Sequence, residues 1–556
     1  MTGRTVAAVD LGAESARVAA VTLTGGRLEF RLANRTPNVP GIRDGQLAWN
    51  MDALWQGVST GLQQLAAESQ PIASVGVDSW GVDYGLLDTD GAPMGEPVCH
   101  RDGRNAAQLA RALARVGARN LYLATGCQIH EVNSVFGLMD DAANHPQRLE
   151  SARKMLMMAD LFANRLSGST VTEFSLASTT GCFDMASHSW ALDLLDSLGV
   201  PTHMLPDVVA PGTDAGPLTG VPRTGALRRA RVILPAAHDT ASAVLAVPSD
   251  APGEGYISSG TWSLVGVLAP EPVITEESFA ANLTNEGGYQ GTIRLLRNIA
   301  GLWILQACRA QWAREGSSRD YAQLAEAAAL EAPLRSIINP NAAEFLAPGD
   351  MPARIRRYCR RNGEPVPETI GQTARCVVDS LALAYRLTFE DIARVTGHAV
   401  NALNVVGGGV RHTLLQQVTA DAVRVPVRCG SPEAAALGNA AAQLVCLGDI
   451  TAADIPALMR AGTGVRTYEP RAGADWEAAA ERLRLLIRRD HAGREHGAPA
   501  RSINRQNPSS STPKEKNATF IQNRSLLGGG CRTAAGRHRL HQQERYRRHR
   551  GRERKR

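Results

Sequence analysis

The sequence predicts a two-domain α/β protein with a ligand cleft between related domains. At 556 residues the chain is longer than one hydrophobic core usually supports. Two segments, one starting at Thr5 and the other at Gly255, each read as a strand, a turn of small residues and a second strand. A meander repeated so far along the chain indicates a duplicated domain, and clefts between domains commonly bind ligands.

The first domain is predicted to open with three strands and a helix. The strands cover residues 5–10, 17–23 and 28–32, with turns at Gly12 and at Gly25 and Gly26. The helix has Asn50 or Asp52 as its N-cap and an apolar stripe that is typical of a helix packed on a sheet. A buried strand over residues 72–77 follows and ends at Asp78.

The second domain repeats this order. Strands are predicted over residues 255–258 and 262–267, with Gly260 and Thr261 in the turn between them. A further strand over residues 402–406 leads into three glycines, and a helix follows over residues 413–423. Small-residue turns at strand ends let backbone N–H groups approach phosphate oxygens, which favours a nucleotide in the cleft.

The charge of the chain is divided unevenly. Its net charge is +6, but residues 501–556 carry +13 and the remainder carries −7. The body is therefore acidic, and charge gives no support to nucleic-acid binding by the fold. Residues 489–556 are rich in Ser, Pro, Asn, Gly and Arg, a composition that predicts a disordered basic tail.

Export, membrane insertion and zinc binding are all poorly supported. Asp10 and Glu14 interrupt any apolar leader segment near the start, and no later stretch stays apolar long enough to cross a bilayer. The nine cysteines form no Cys-x-x-Cys pair. We expect a cytoplasmic protein with reduced thiols.

The segment from Asp10 to Arg17 is a candidate phosphate loop, because a carboxylate at a strand end stands beside Gly, Ala and Ser. An ordinary hairpin turn is the alternative. The turn that contains Gly260 and Thr261 and the glycines that include Gly408 offer the same chemistry, with the same alternative of a plain tight turn.

Asp239 is the candidate proton acceptor. It follows His238 at the start of a small-residue helix, where a loop can present its carboxylate to a cleft. The alternative is that Asp239 only caps the helix. Two stretches, from Trp80 to Asp83 and from His100 to Asp102, could stack on a sugar and hydrogen-bond to it, or could lie in the core or on the surface.

Taken together and in this order, these segments resemble the FGGY family of carbohydrate kinases, and within it the rhamnulokinase group. The resemblance covers about residues 5–485 and lies in seven stretches, namely residues 9–17, 78–83, 238–244, 258–263, 282–288, 297–303 and 405–409. It implies the two-domain fold of actin and hexokinase, which is ribonuclease H-like, with the nucleotide and the sugar in the interdomain cleft. The implied domains are residues 1–246 and 247–488.

The resemblance also implies the residues of the site. The ATP site would contain Ala13, Glu14, Ser15, Ala16, Arg17, Thr261, Gln306 and Gly408. The sugar site would contain Gly81, His238, Asp239, Thr240 and Asn298, with Asp239 as the catalytic base. Asp10 would help to hold Mg²⁺, through water.

The implied reaction is ATP-dependent phosphorylation of L-rhamnulose at its C1 hydroxyl, in L-rhamnose degradation. The alternatives are an FGGY kinase for fuculose, xylulose or glycerol, and a nucleotide-gated binding protein of the actin or Hsp70 kind. We expect sugar and ATP as the partners of a monomer or small homo-oligomer, with no specific nucleic acid and no membrane.

Two positions depart from the family pattern. Ala16 stands where such loops often carry glycine. Cys359 and Cys376 stand where a relative has a cysteine pair; free thiols are favoured in a reducing compartment, and the pairing stays open.

Overall fold

The structure is a computed structural model that describes residues 3–249, 251–346, 349–462 and 464–495. The basic tail predicted from the sequence lies outside these residues from position 496 onward. Within the described residues the fold contains two large mixed sheets, a six-stranded first sheet and a seven-stranded second sheet.

The first half of the chain contains the strands of the first sheet, further short strands outside that sheet, and the surrounding helices. Its strands are β1 (Arg4–Leu11), β2 (Ser15–Thr24), β3 (Arg27–Pro37), β4 (Gly41–Arg43), β5 (Gln46–Ala48), β6 (Ile72–Ser79), β7 (Tyr84–Leu87), β8 (Lys154–Met157), β9 (Thr172–Glu173), β10 (Phe183–Asp184), β11 (Ser189–Trp190), β12 (Val208–Val209), β13 (Thr213–Pro217) and β14 (Arg231–Leu234). Its helices are α1 (Met51–Ala66), α2 (Arg104–Val116), α3 (Ala118–Thr125), α4 (Ser134–Asn144), α5 (Pro146–Ser151), α6 (Met158–Ser167), α7 (Phe174–Ala177), α8 (Leu192–Leu198) and α9 (Asp239–Leu245).

The second half builds the second sheet. Its strands are β15 (Glu254–Ser259), β16 (Ser263–Ala269), β17 (Thr284–Gly287), β18 (Ile293–Ile299), β19 (Ala402–Val406), β20 (Val427–Cys429) and β21 (Arg466–Tyr468). Its helices are α10 (Glu276–Ala280), α11 (Trp303–Arg314), α12 (Tyr321–Ala329), α13 (Met351–Asn362), α14 (Ile370–Thr396), α15 (Thr413–Val423), α16 (Ala434–Cys446), α17 (Ile455–Gly462) and α18 (Trp476–Glu495).

The first sheet brings the carboxyl ends of three strands to one edge. Its order is β13-β14-β6-β1-β2-β3, and β14, β6 and β1 run parallel. Strand β1 is buried along almost its whole length, in keeping with its apolar residues Val6 to Val9. In the parallel register Asp10 lies opposite Asp78, so two carboxylates end neighbouring strands.

The second sheet repeats this arrangement. Its order is β17-β18-β16-β15-β19-β20-β21, with an antiparallel meander through β15, β16 and β18 and parallel strands β15, β19 and β20. The duplicated α/β organisation expected from the two sequence meanders is thereby confirmed. Strands β17 and β18 were not predicted, because the patterning of that stretch is obscured by Asn, Glu, Gly and Arg residues.

Helix α1 shows how a local signal and close packing act together. The Asn50 side chain accepts a hydrogen bond from the Ala53 N–H, which confirms Asn50 as the N-cap. Gly61 lies so close to β2 that a Cβ atom there would come within 2.6 Å of Val18. The glycine therefore lets the helix backbone approach the sheet.

Helix α16, from the second half, packs on β1 and β6 of the first sheet and on α9. A Cβ atom at Gly438 would lie 1.8 Å from the Ser242 carbonyl oxygen, so only glycine allows α9 and α16 to come this close. Gln443 donates to the Ala7 carbonyl and accepts from Ser74, which ties the helix to the first sheet. Contacts of α16 therefore help to fix α9, whose first residue is Asp239.

Three other expectations can be compared with the fold. Helix α18 continues to Glu495, seven residues past the predicted boundary at 488. The described residues contain no helix that is both long and apolar enough to cross a membrane. Cys359 and Cys376 are buried free thiols. The hydrogen bond between them and their burial raise the pKa of Cys376 well above its usual value.

Candidate functional site

A cavity of about 1030 Å³ lies between the carboxyl edges of the two sheets. It is lined by Asp10, Ala13, Glu14, Ser15, Arg17, Gly81, His238, Asp239, Thr240, Thr261, Asn298, Gln306 and Gly408, together with many other residues. The structure thus brings together every residue that the sequence placed in the site except Ala16. Their individual roles stay predictions.

Ala16 lies apart from the cavity because it belongs to a strand. It is an inward-facing residue of β2, is 3% exposed, and packs in the core. Its neighbour Arg17 faces the cleft, as the alternation of side chains along a strand requires. The turn is shorter than predicted, because β2 already begins at Ser15. The φ angle of Ala16 is also not positive.

Arg17 joins the two halves of the molecule across the cleft. Its Nη2 lies 2.5 Å from Asp10 Oδ2, and its Nη1 lies 2.5 Å from Glu433 Oε2. Burial raises the pKa of Asp10 to about 6, although the attraction of Arg17 opposes this rise. Glu433, just before α16, was not singled out from the sequence because it lies in no recognisable motif.

Asp78 lies directly behind Asp10. Its side chain is buried, its Oδ2 accepts a hydrogen bond of 2.6 Å from Asn439, and its Oδ1 has no partner among the described residues. Burial, and then the neighbouring charge of Asp10, raise the pKa of Asp78 well above its usual value. The sequence signal for Asp78 was its position at the end of a buried strand.

Asp239 is the first residue of α9, and the N-cap position belongs to His238. Asp239 is therefore not the N-cap residue, although its carboxylate accepts a hydrogen bond from the Thr240 backbone N–H. Asp239 Oδ1 lies 3.5 Å from His238 Nε2 and accepts a hydrogen bond from the Thr240 hydroxyl. Burial raises the pKa of Asp239, and the nearby His238 opposes that rise. A carboxylate with a raised pKa is a stronger base, as proton abstraction requires.

The backbone before Asp239 is held by two buried side chains that the sequence did not reveal. Glu173 Oε2 accepts the Ala237 N–H at 3.0 Å, and Ser175 Oγ accepts the His238 N–H at 3.0 Å. Burial raises the pKa of Glu173 to about 7. Since both residues lie more than sixty positions upstream, only the tertiary fold brings them to the loop.

The stretch from Trp80 to Asp83 forms one wall of the cavity. Trp80 and Gly81 line it, whereas Asp83 lies behind the wall. Asp83 Oδ2 accepts hydrogen bonds from the indoles of Trp49 and Trp80 and lies 2.9 Å from His100 Nδ1. The carboxylate thus orients the rings of Trp80 and His100, which line the cavity.

The β15–β16 turn and the end of β19 contribute a wall of small and neutral groups. Thr261 lies in the β15–β16 turn, and its carbonyl accepts the Trp303 N–H. Gly407 has φ of +86°, and a Cβ atom there would lie 2.9 Å from the Ser259 carbonyl oxygen. Glycine is therefore required where β19 ends against β15. The adjacent Gly408 faces open space, which leaves room for a ligand.

Gln306 and Asn298 complete this wall. Gln306, on α11, has a buried Oε1 atom with no partner among the described residues. Asn298, on β18, has its side-chain amide and its backbone N–H directed to Gln128 of the first half. Such polar atoms facing a cavity can recognise a ligand.

Two family models match the chain. The N-terminal domain model of the FGGY family of carbohydrate kinases matches residues 5–246, and the C-terminal domain model matches residues 255–447. Rhamnulokinase from Bacteroides thetaiotaomicron is 39% identical over 483 residues, which are 86% of this chain and 99% of that protein. Rhamnulokinase from Pectobacterium carotovorum is 38% identical over 491 residues, which are 87% of this chain and 97% of that protein.

Solved structures of sugar and polyol kinases share the fold. Xylulose kinase from Lactobacillus acidophilus superposes with a TM-score of 0.69 at 16% identity, covering 89% of this chain and 98% of that one. Glycerol kinase from Plasmodium falciparum, solved with ADP, superposes with a TM-score of 0.70 at 13% identity, covering 88% and 98%. At such low identities these structures show the fold alone.

Proposed function

Because the chain belongs to the FGGY family of carbohydrate kinases and to its rhamnulokinase group, we propose that it transfers the γ-phosphate of ATP to the C1 hydroxyl of L-rhamnulose, in L-rhamnose degradation. The name shared by its relatives supports this substrate. The observation that carries the mechanism is the position of the Asp239 carboxylate, which lines the cavity beside His238.

In this reaction the carboxylate of Asp239 accepts the proton of the C1 hydroxyl. The freed oxygen attacks the γ-phosphorus in line, the new C1–O–P bond forms, and the bond to the β-phosphate oxygen breaks to release ADP. His238, Thr240, Gly81 and Asn298 would position the sugar. Glu173 and Ser175 act indirectly, because their hydrogen bonds fix the backbone that carries Asp239.

The nucleotide would lie between the two small-residue turns. Backbone N–H groups of the β1–β2 turn, from Ala13 to Ser15, and of the turn that contains Thr261 can approach its phosphates closely. Arg17, which pairs with Asp10 and Glu433, would then give up part of these ion pairs and bind the phosphate instead. Gln306 and Gly408 lie where the rest of the nucleotide would pass along the second sheet.

The oxygen ligands at the first sheet fit Mg²⁺. Asp10 faces the cavity, and Asp78 on the neighbouring strand has an oxygen with no partner in the described part of the chain. Magnesium is often held by one or two carboxylates together with water and substrate phosphates. When bound, the ion would neutralise charge on the transferred phosphate. Asp10 would hold it through water, because its Oδ2 already pairs with Arg17.

We also propose a division of roles between the two domains, a cytoplasmic location and an oligomeric state for the enzyme. Residues 1–246 would carry the sugar site and the phosphate loop, and residues 247–488 would carry the nucleotide site. The cytoplasm is where ATP and intermediates of sugar degradation occur together. A monomer or small homo-oligomer is expected there, and sedimentation velocity measures this directly.

A coupled assay of ADP formation tests the substrate. The protein is given ATP and Mg²⁺ with L-rhamnulose, fuculose, xylulose or glycerol, and kcat/KM is measured for each. We expect the highest value for L-rhamnulose and a product phosphorylated at C1, identified by phosphorus NMR. The highest kcat/KM for another of these substrates would replace L-rhamnulose in this proposal.

A further inference from the structure

An arginine and a glutamate form a buried pair beside the predicted sugar site. Glu286 on β17 and Arg294 on β18 are direct partners in the antiparallel register. The Arg294 side chain is fully buried, and that of Glu286 is 5% exposed. Arg294 Nη2 lies 3.1 Å from Glu286 Oε2, and Arg294 Nε donates to the Gly287 carbonyl at 2.9 Å.

The pair is in contact with the machinery around Asp239. Glu286 lines the cavity together with His238 and Asn298. His238 Nδ1 lies 3.4 Å from Glu286 Oε2 and 3.0 Å from Arg294 Nη2. A guanidinium group can only donate, so His238 Nδ1 accepts from Arg294 in the tautomer that carries its proton on Nε2, whereas a protonated Nδ1 donates to Glu286.

Glu286 has capacity for a further hydrogen bond. Its Oε2 atom is buried and receives no well-aligned hydrogen bond from the described residues. Burial alone would raise the pKa of this carboxyl, but the charge of Arg294, followed by His238, holds it below its ordinary value. The side chain at this wall of the cavity is therefore a carboxylate near neutral pH, and carboxylates are strong acceptors for hydroxyl groups.

We propose that Glu286 is a substrate-recognition residue that accepts hydrogen bonds from hydroxyl groups of the sugar away from C1. Arg294 is its positioning residue, since it holds both the carboxylate and the His238 ring. This inference rests on the proposed sugar kinase activity and deepens it. The pair of Glu286 and Arg294 on the second sheet would recognise the hydroxyl groups, while the catalytic base, Asp239, belongs to the first half of the chain.

This arrangement would make the site reject substrates that lack the recognised hydroxyl group. A substrate that lacks the recognised hydroxyl leaves a buried carboxylate without a hydrogen-bond partner, which is costly in a site closed to water. An apolar pocket cannot discriminate so strongly among polyols of similar shape.

The test compares two isosteric variants of buried glutamates on the same sheet. Glu286→Gln keeps the shape but removes the charge, and we expect KM for the sugar to rise about 10- to 100-fold, as for loss of a charged hydrogen bond. KM for ATP should stay within about twofold, because the nucleotide does not contact this residue in the proposal. The control is Glu254→Gln, which neutralises a glutamate paired with Arg428 outside the cavity and should leave both KM values unchanged.

Deoxy analogues of the sugar show which hydroxyl Glu286 binds. For the wild-type protein, removing that hydroxyl should lower kcat/KM by a factor similar to that of the Glu286→Gln change. For the variant, the same removal should have little further effect, because the interaction is already lost. Arg294→Lys keeps the positive charge that lowers the pKa of Glu286 but loses the planar fork, so it should raise the sugar KM while the acid limb of the pH profile and the KM for ATP stay in place; thermal unfolding reports whether it folds.

The outcomes separate this inference from the function on which it rests. If the wild-type protein phosphorylates another sugar best, the substrate proposal changes, and the Glu286 test is run on that sugar. If the wild-type protein phosphorylates its best sugar, the variant is folded, and its sugar KM and its response to every deoxy analogue equal those of the wild type, then Glu286 does not recognise substrate and the inference is wrong.

Discussion

The two sheets present different chemistry to the cleft although both begin with the same strand-turn-strand pattern. The edge of the first sheet holds Asp10, Asp78 and Arg17, all charged groups or groups with strongly shifted pKa values. The corresponding edge of the second sheet holds the hydroxyl of Thr261 and the glycines after β19. At these strand ends the duplicated scaffold is divided into a charged edge suited to metal and proton chemistry and a neutral edge suited to a nucleotide, whereas the charged pair of Glu286 and Arg294 lies farther along the second sheet, on β17 and β18.

Two carboxylates that line the cavity differ in a similar way. Asp239 and Glu286 both lie next to His238, yet burial raises the pKa of Asp239 whereas Arg294 helps to hold that of Glu286 below its ordinary value. The difference follows from the fully buried guanidinium beside Glu286. One carboxylate is suited to accept a proton and the other to remain an anion.

The largest effect is expected on the charged side. Asp239→Asn should lower kcat by about 10²- to 10⁴-fold, because an amide cannot accept the proton of the C1 hydroxyl. ATP binding and thermal unfolding should stay close to wild type. Asp350→Asn is the control, since Asp350 is an N-cap of α13 and asparagine caps equally well. Activity of Asp239→Asn within a few-fold of wild type would remove Asp239 as the base.

A second change on the charged side has a pH signature. Arg17→Met should raise KM for ATP by about 10-fold or more, because a charged hydrogen bond to phosphate is lost. It also removes the attraction that opposes the raised pKa of Asp10, which is about 6, so this pKa should rise further. If the reaction needs ionised Asp10, kcat/KM falls as the pH drops through the pKa of Asp10. Because this pKa is higher in Arg17→Met, the acid limb of the pH profile of the variant should lie at higher pH than that of the wild type.

The control for Arg17 is Arg411→Met. Arg411 also pairs with Glu433, at 3.2 Å, but makes no ion pair with Asp10. The acid limb of this variant should therefore coincide with that of the wild type. A limb that stays in place for Arg17→Met, or moves to lower pH, would show that Arg17 does not control the ionisation of Asp10.

Packing between the two halves gives an intermediate effect. Gly438→Ala places a methyl group against the Ser242 carbonyl and should destabilise the protein by about 1–3 kcal/mol, as for other overpacked sites. Because α9 must shift, kcat should fall as well. Gly462→Ala is a matched helical control whose new Cβ atom would meet only ordinary contacts. Equal stability of both variants in urea unfolding would contradict the close approach of α9 and α16.

A smaller effect is expected on the neutral side. Thr261→Val removes one hydroxyl and keeps the backbone N–H and the side-chain shape. A neutral hydrogen bond contributes about 0.5–1.5 kcal/mol, so KM for ATP should rise by no more than about 10-fold. Steady-state kinetics with varied ATP measures this. A loss as large as that of Asp239→Asn would break the division into a charged and a neutral side.

The smallest effect is expected from the basic end of the chain. Removal of residues 498–556 should leave the sugar kinase kinetics and the melting temperature unchanged, and should abolish any salt-sensitive DNA binding that the whole chain displays. A melting temperature lowered by many degrees, or a loss of phosphorylation, would mean that these residues support the fold.

Local sequence signals were sufficient for much of the fold. Buried runs, small-residue turns and the Asn50 cap located the strands and helices of both meanders, because each signal depends on neighbours in the chain. The same signals placed Asp10, Asp239 and Thr261 at strand or helix ends. Ala16 was assigned to the ATP site by the resemblance alone; its side chain is buried in β2, and a role in ATP binding stays a prediction.

What only the tertiary structure decided is which distant residues meet at the site. Glu173 reaches the loop before Asp239, Arg17 meets Glu433, and Arg294 lies beside His238 across long separations in sequence. Their protonation and orientation depend on burial and on the charges brought near them, which no local pattern encodes. The sequence by itself determined the duplicated fold and the strand ends that form the cleft, because these follow from local periodicity, whereas the electrostatics of the cleft follow from packing.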